Sequence, residues 1–231
     1  DDLASFGFFY QWGRKDPFIA ASALINPDGA AIPDGDAFQT AMEGSCIFNM
    51  AHTIGWETLR NDAAVIEIGK SVEYAAAHPM TFITYGAQLG SSGVGAWVND
   101  DNVQYAELWG YDFVNHTNRK TMFDPCPPGY KVPGWYQEVM ADADKTTMVE
   151  TGQYQSRTYN GGYWPAQGYR TDQGRLSNVG RYGYYWSACS YNHGYPAQNF
   201  KGYMLYWYSR MVSNNNAQNE AIGGNIRCIR E

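Results

Sequence analysis

The sequence predicts an α+β domain built from many short strands, few helices and long loops. Three observations carry this expectation. Short aromatic and β-branched runs recur between Gly, Pro and Asn turn signals, the pattern of brief strands. Helical patterns are scarce and short, at 36–42, between Ser71 and Pro79, and at 134–141. The chain also holds 25 glycines and only 17% charged residues, a composition that suits a globular fold rich in turns. Nothing repeats at a fixed period, which disfavours a solenoid or a propeller.

In chain order, SFGFFYQW at 5–12 reads as an opening aromatic strand, ended by Pro17, which cannot donate to a ladder. Residues 20–45 carry two Pro-Asp-Gly turn signals and read as a surface excursion, with a short helix at 36–42. Ser71 is the expected N-cap of a helix through Tyr74, Ala75 and Ala76, stopped by Pro79. Met80 to Tyr85 reads as extended chain. The glycine-rich run 90–95 lacks the Lys-Ser/Thr of a phosphate loop and the second glycine of a nucleophile elbow, so it reads as a plain turn. YAELWGYDF at 105–113 is an amphipathic turn, and Asp124-Pro125-Cys126-Pro127-Pro128-Gly129 is a rigid one. A helix is expected from Gly134 to about Ala141, burying Trp135 and Val139 on one face. Residues 142–162 look polar and turn-like. An aromatic strand entry is expected at 161–166, and strands at YYWSA (184–188) and at 203–208. Asn214-Asn215-Asn216 reads as a loop before a final strand, Asn225 to Arg230.

At 231 residues the chain suits one large domain or two small ones. A net charge of −7 with no basic run disfavours nucleic acid as a partner. No apolar run is long enough to span a membrane or to serve as a signal peptide. The opening Asp1-Asp2, without an initiator Met, reads as a processed or truncated chain, whose natural start and any anchor on it are not seen in this sequence. The four cysteines, Cys46, Cys126, Cys189 and Cys228, allow two disulfides in three pairings and show no zinc-ligand spacing. A bridge from the rigid turn at Cys126 to the last strand at Cys228 would tie down the C-terminus. Free buried thiols are the other reading.

Catalytic chemistry finds little support in the sequence. His52, His78, His116 and His193 are scattered, with no paired nucleophile. Asp100-Asp101 and Asp112 lack the spacing of a calcium loop and read as solvated acids. No metal or cofactor is expected.

The feature that stands out is the stretch Arg181 to Arg210, with eight of the 19 tyrosines plus Trp186, Phe200 and Trp207. Tyrosine combines a flat apolar face with a polar tip at low rotamer cost, which is why paratopes favour it. The same composition also suits an ordinary aromatic-rich β region.

The succession YQWGRKDPF, SVEYAAAHPMTFIT, ELWG, KTMFDPCPPGYKVP, YYWSA and GGNIRCIRE spans essentially the whole chain. It resembles the Fibrobacter succinogenes major paralogous domain family of surface lipoproteins and secreted proteins of gut Bacteroidetes. DPCPPGYKVP and IRCIRE are its most specific parts. The resemblance implies one domain over 1–231 with a C-type-lectin-like fold, related to that of the formylglycine-generating enzyme. It implies pairing of the first and last strands, and it strengthens the Cys126–Cys228 bridge.

A subset of that family is similar to the variable proteins of diversity-generating retroelements, which present altered C-terminal residues as a ligand-binding surface. By that pattern Ala197, Leu205, Trp207 and Val212 hold fixed, buried positions, with Trp207 replacing a Phe, while Tyr206, Tyr208 and Arg210 alternate with them and face outward. The genetic code offers a separate check, because an AAC codon altered only at its adenines yields Asn, Tyr, His, Ser, Gly or Arg but never Trp, Met, Lys or Gln. Within a binding region at 175–219, the contact residues expected on these grounds are Arg175, Asn178, Arg181, Tyr182, Tyr191, Asn192, His193, Tyr195, Tyr206, Tyr208 and Arg210. Tyr184, Tyr185, Trp186, Ala197, Phe200, Leu205 and Trp207 are expected as scaffold.

The implied function is a monomeric ligand-binding protein, with a protein or glycan ligand, at an extracellular or outer-membrane surface or on a phage virion. A lipid anchor would lie upstream. The alternatives are a structural or adhesive subunit of a cell-surface or pilus assembly, and an oxidase of the formylglycine-generating type. The oxidase would need a reactive cysteine pair, for which the motif region offers only Cys189.

Overall fold

The computed structural model describes residues 7–18, 71–77, 79, 97, 107–135, 146–151, 154–171, 176–190 and 201–231. Among the described residues the one helix is α1, Ser71–Ala77. Apart from a 3-10 position at Glu107, the other described residues with regular structure are in strands or bridges. This corrects the α+β expectation: the described residues are β-rich, built from small antiparallel sheets with almost no helix among them. The helix expected from Gly134 does not start there. Instead the Pro133 and Gly134 carbonyls accept the backbone N–H of Ala188 and Cys189, at 2.7 and 3.2 Å, so this segment bends alongside a strand. The remainder of that helix, the one at 36–42, the run 80–85 and the turn 90–95 lie outside the described residues.

Three sheets organise the chain. The first joins β10 (Gly183–Ser190), β11 (Lys201–Tyr208) and β12 (Met211–Asn219) in that order. The second has the order β1-β13-β8-β9, from Tyr10–Gln11, Gly223–Gly224, Tyr169–Arg170 and Leu176–Ser177. The third is the meander β5 (Thr147–Thr151), β6 (Tyr154–Tyr159) and β7 (Gly162–Pro165). Two small pairs complete the set, β2 (Tyr111–Asp112) with β3 (Thr117–Asn118), and β4 (Tyr130–Lys131) with β14 (Ile229–Arg230).

Several local expectations change. The first strand pairs with β13 rather than with the last strand, because β14 is taken by β4. Within the polar region 142–162, expected as turn, the described residues form β5 and β6, whose ladder runs Thr147↔Thr158 to Thr151↔Tyr154, with a turn only at Asn160-Gly161. Its β-branched residues outweigh its polarity on a half-exposed sheet. Asn214-Asn215-Asn216 likewise lies inside β12, where the pairing with β11 is irregular between Ser213 and Asn216.

The central sheet is covered on both sides, so all eight residues of β10 are buried. One face joins the main core of Trp12, Trp97, Trp109, Tyr184, Trp186 and Met204. The other packs Tyr185, Leu205 and Trp207 against Trp164 and Ala166. Tryptophan N–H groups cross-link the main core by donating to distant carbonyls: Trp12 to Ser187, Trp97 to Trp12, Trp109 to Arg14 and Trp186 to Tyr10, all at 2.7–3.2 Å. Buried polar groups are tolerated when bonded in this way. Arg14 is buried beside them, donating to Gln11 and to the Ala75 and Pro79 carbonyls and facing Phe18 and Trp97, which ties the first strand to α1. Gly202 makes this packing possible, since a Cβ there would lie 2.5 Å from the Trp12 ring.

The DPCPPG turn is held by Asp124. Its buried carboxylate accepts the N–H of Cys126 and of Val132, at 2.8 and 2.9 Å, and pairs with Lys120 at 2.8 Å. This places Cys126 against Cys228, and the two form a disulfide with Cα atoms 5.8 Å apart across 102 residues. On the chain-entropy model a loop of that length contributes about 4–5 kcal/mol. Among the described residues no helix is long and apolar enough to cross a membrane.

A tyrosine cluster as candidate functional site

Five tyrosine rings meet where the main-core face of the central sheet runs out to solvent. Tyr184 and Tyr206 stand opposite each other on β10 and β11, with ring centroids 5.0 Å apart. Tyr206 and Tyr208 share one face of β11 by strand alternation, at 5.9 Å. Tyr182 stacks on Tyr208 at 5.3 Å and 22°, and on Tyr206 at 5.8 Å and 30°. Tyr169 closes the inner end, 4.5 Å from Tyr184. Exposure grades outward: Tyr184 is buried, Tyr182, Tyr206 and Tyr208 are half-buried, and Arg181 and Arg210 are exposed.

The backbone presents these rings rigidly. Asn178 adopts φ 57°, a conformation that Asn tolerates better than most residues, and its carbonyl accepts the N–H of Arg181 and of Tyr182 at 3.2 Å each. The resulting turn is pinned on both flanks. Gly180 N–H donates to Ala166 O at 2.7 Å, and Gly168 N–H donates to Tyr182 O at 2.8 Å. On the other side, a two-residue connection, Ser209-Arg210, joins Tyr208 to Met211. Arg157 supports that connection from below, donating to the Tyr208 and Ser209 carbonyls at 2.9 and 3.4 Å, with its guanidinium over Trp207.

The hydroxyls are tuned as donors. Burial, followed by the neighbouring Tyr169 and Tyr206, pushes the Tyr184 hydroxyl well above the usual tyrosine range, while an Asn178 hydrogen bond acts in the opposite sense. Burial, then Tyr182 and Tyr208, also raises Tyr206. Both therefore stay protonated through the physiological range and keep an O–H to donate.

Of the expected contact residues, the structure brings Asn178, Arg181, Tyr182, Tyr206, Tyr208 and Arg210 to one region. Arg175, Tyr191, Asn192, His193 and Tyr195 lie outside the described residues, as do Ala197 and Phe200. The expected scaffold residues Tyr185, Trp186, Leu205 and Trp207 are buried. Tyr184 is both scaffold and part of the cluster. Tyr169 belongs to the cluster without having been expected there. It arrives through β8, whose register pairs Tyr169 with Ser177, and nothing local to GYR signals that.

Elsewhere, Asp112 is occupied in a turn, accepting the N–H of Val114 and of Asn115 at 2.9 and 3.0 Å; these bonds and that of the Asn115 side chain, the largest effect, lower its pKa. Among the described residues no three His, Cys, Asp or Glu side chains are grouped to hold a metal ion. Cys189 is fully buried in β10. No protein-family model, curated protein or solved structure matches the chain.

Proposed function

We propose that this protein is a ligand-binding protein of a bacterial cell surface, a member of the Fibrobacter succinogenes major paralogous domain family, and that it contacts a protein or glycan through its tyrosine-rich face. The single observation carrying this reading is the cluster of Tyr169, Tyr182, Tyr184, Tyr206 and Tyr208, graded from buried to half-buried and flanked by exposed arginines. A sheet core has no need of rings that emerge into solvent, whereas a contact surface gains area and hydrogen-bonding tips at low entropy cost. The six described contact residues all come from the region 175–219, whose residue alphabet supports diversification by a retroelement. Codons at the contact positions sharing one third base would support that further; scattered third bases would remove it.

The test is an array of glycans and surface proteins probed with the intact domain and with Tyr208→Ala. Tyr208 lies at the outer end of the cluster, so the variant should lose the bound features while melting within a few degrees of wild type. Unchanged binding by the variant would refute the reading. Tyr206 is a poorer probe, because it also packs against the main core and its truncation would destabilise the fold.

A further inference from the structure

We infer that the ligand of the tyrosine face is an acidic segment of a partner protein, an inference that rests on the binding reading above and narrows it. Charge points there first. The chain carries a net charge of −7, yet residues 176–219 contain no Asp or Glu and hold Arg181, Lys201 and Arg210. Arg181 and Arg210 are exposed at the two turns that border the cluster, and Arg210 makes no ion pair among the described residues. The buried Arg157 adds a third positive charge beneath the Ser209-Arg210 connection. A cluster of positive side chains on an acidic protein attracts anionic partners.

Ring geometry selects the kind of anion. A sugar is recognised by stacking its C–H face on an open aromatic face. Here Tyr182 stacks on Tyr184, Tyr206 and Tyr208 at 20–30°, so these rings already use part of their faces on one another. That favours recognition through ring edges and hydroxyl tips. Phenol O–H groups beside guanidinium forks suit carboxylates, which accept several donors at once. Like any tyrosine at neutral pH, Tyr206 is a protonated phenol, and burial, which raises its pKa, keeps it so, leaving a donor for a carboxylate. Asp and Glu side chains on an extended partner segment match this arrangement.

The test uses the intact domain and immobilised peptides of one length: Asp/Glu-rich, the isosteric Asn/Gln version and a Lys-rich version, with chondroitin sulfate and a neutral dextran alongside. The acidic peptide should bind best, and binding should fall steeply between low and physiological salt. Arg210→Glu should weaken it by about tenfold or more, Arg210→Lys by much less, with the melting temperature unchanged since the side chain is exposed. Equal binding of the Asn/Gln peptide, or a preference for chondroitin sulfate, overturns the inference. If Tyr208→Ala still abolishes that binding, the tyrosine face remains a binding site and only its ligand class is wrong. If no probe binds in a way that depends on Tyr208, the inference falls, and the array above separately decides the broader reading.

Discussion

Replacing Glu220 by Gln should stabilise the protein at alkaline pH and leave it nearly unchanged in acid. Glu220 is 3% exposed just beyond β12, where Ser190 donates a hydrogen bond to its Oε1 at 3.1 Å. Burial pushes its carboxyl up to about 8, while the Ser190 bond acts in the opposite sense. In the unfolded chain the same group titrates near 4.5. Below that value both states hold the proton and the group contributes nothing. Between the two values the unfolded chain has released its proton and the folded chain has not. The folded state then binds more protons, so stability falls as pH rises, by up to about 1.4 kcal/mol per pH unit. Above about 8 the loss is complete. The interval sets an upper bound near ~5 kcal/mol, and relaxation around the site brings the expected value to a few kcal/mol. Gln keeps an acceptor for Ser190 and removes the titration. Urea unfolding of both proteins at pH 5, 7 and 9, with the disulfide intact, should show a difference that grows from a few tenths of a kcal/mol to about 2–4 kcal/mol. Other titrating groups cancel in the subtraction. A difference independent of pH would refute the reasoning.

Two further perturbations separate bonded from unbonded buried groups. Trp207→Phe should cost less than about 1.5 kcal/mol, because the buried indole N–H of Trp207 finds no acceptor among the described residues. Trp186→Phe should cost roughly 2–4 kcal/mol by the same unfolding measurement, since it strands the Tyr10 carbonyl that the Trp186 N–H meets at 2.8 Å. Equal losses would show that cavity formation alone governs both sites. Asp124→Ala should destabilise by about 3 kcal/mol or more, as it removes a buried acceptor from two backbone N–H groups and from Lys120. A loss below about 1 kcal/mol would show that the proline-rich turn holds its shape without the carboxylate.

Positions whose neighbours in sequence set their environment were legible. The β10 and β11 scaffold, Tyr185, Trp186, Leu205 and Trp207, follows from large apolar residues in runs bounded by turn residues. Tyr206 and Tyr208 follow from the two-residue period of a strand. The end of α1 follows from Pro79. The Asn160-Gly161 turn between β6 and β7 was equally readable in principle, with φ of 47° and 73° that suit this dipeptide in a tight hairpin. Taking the surrounding polarity as a sign of loop obscured that hairpin, and it obscured β12 in the same way.

The tyrosine cluster marks the boundary between the two kinds of information. Its composition and the outward alternation along β11 were decided by the chain's own order, because side-chain direction along a strand is a local property of the backbone. Which rings would meet was decided by folding. Tyr169 reaches Tyr184 from a different sheet, Tyr182 is swung onto Tyr208 by a turn pinned to Ala166 and Gly168, and β1 pairs with β13 while β4 takes β14. Strand partnership depends on burying two faces at once and on satisfying backbone groups far apart in sequence. No single segment carries that information, so the composition of the cluster is local while its contacts belong to the fold.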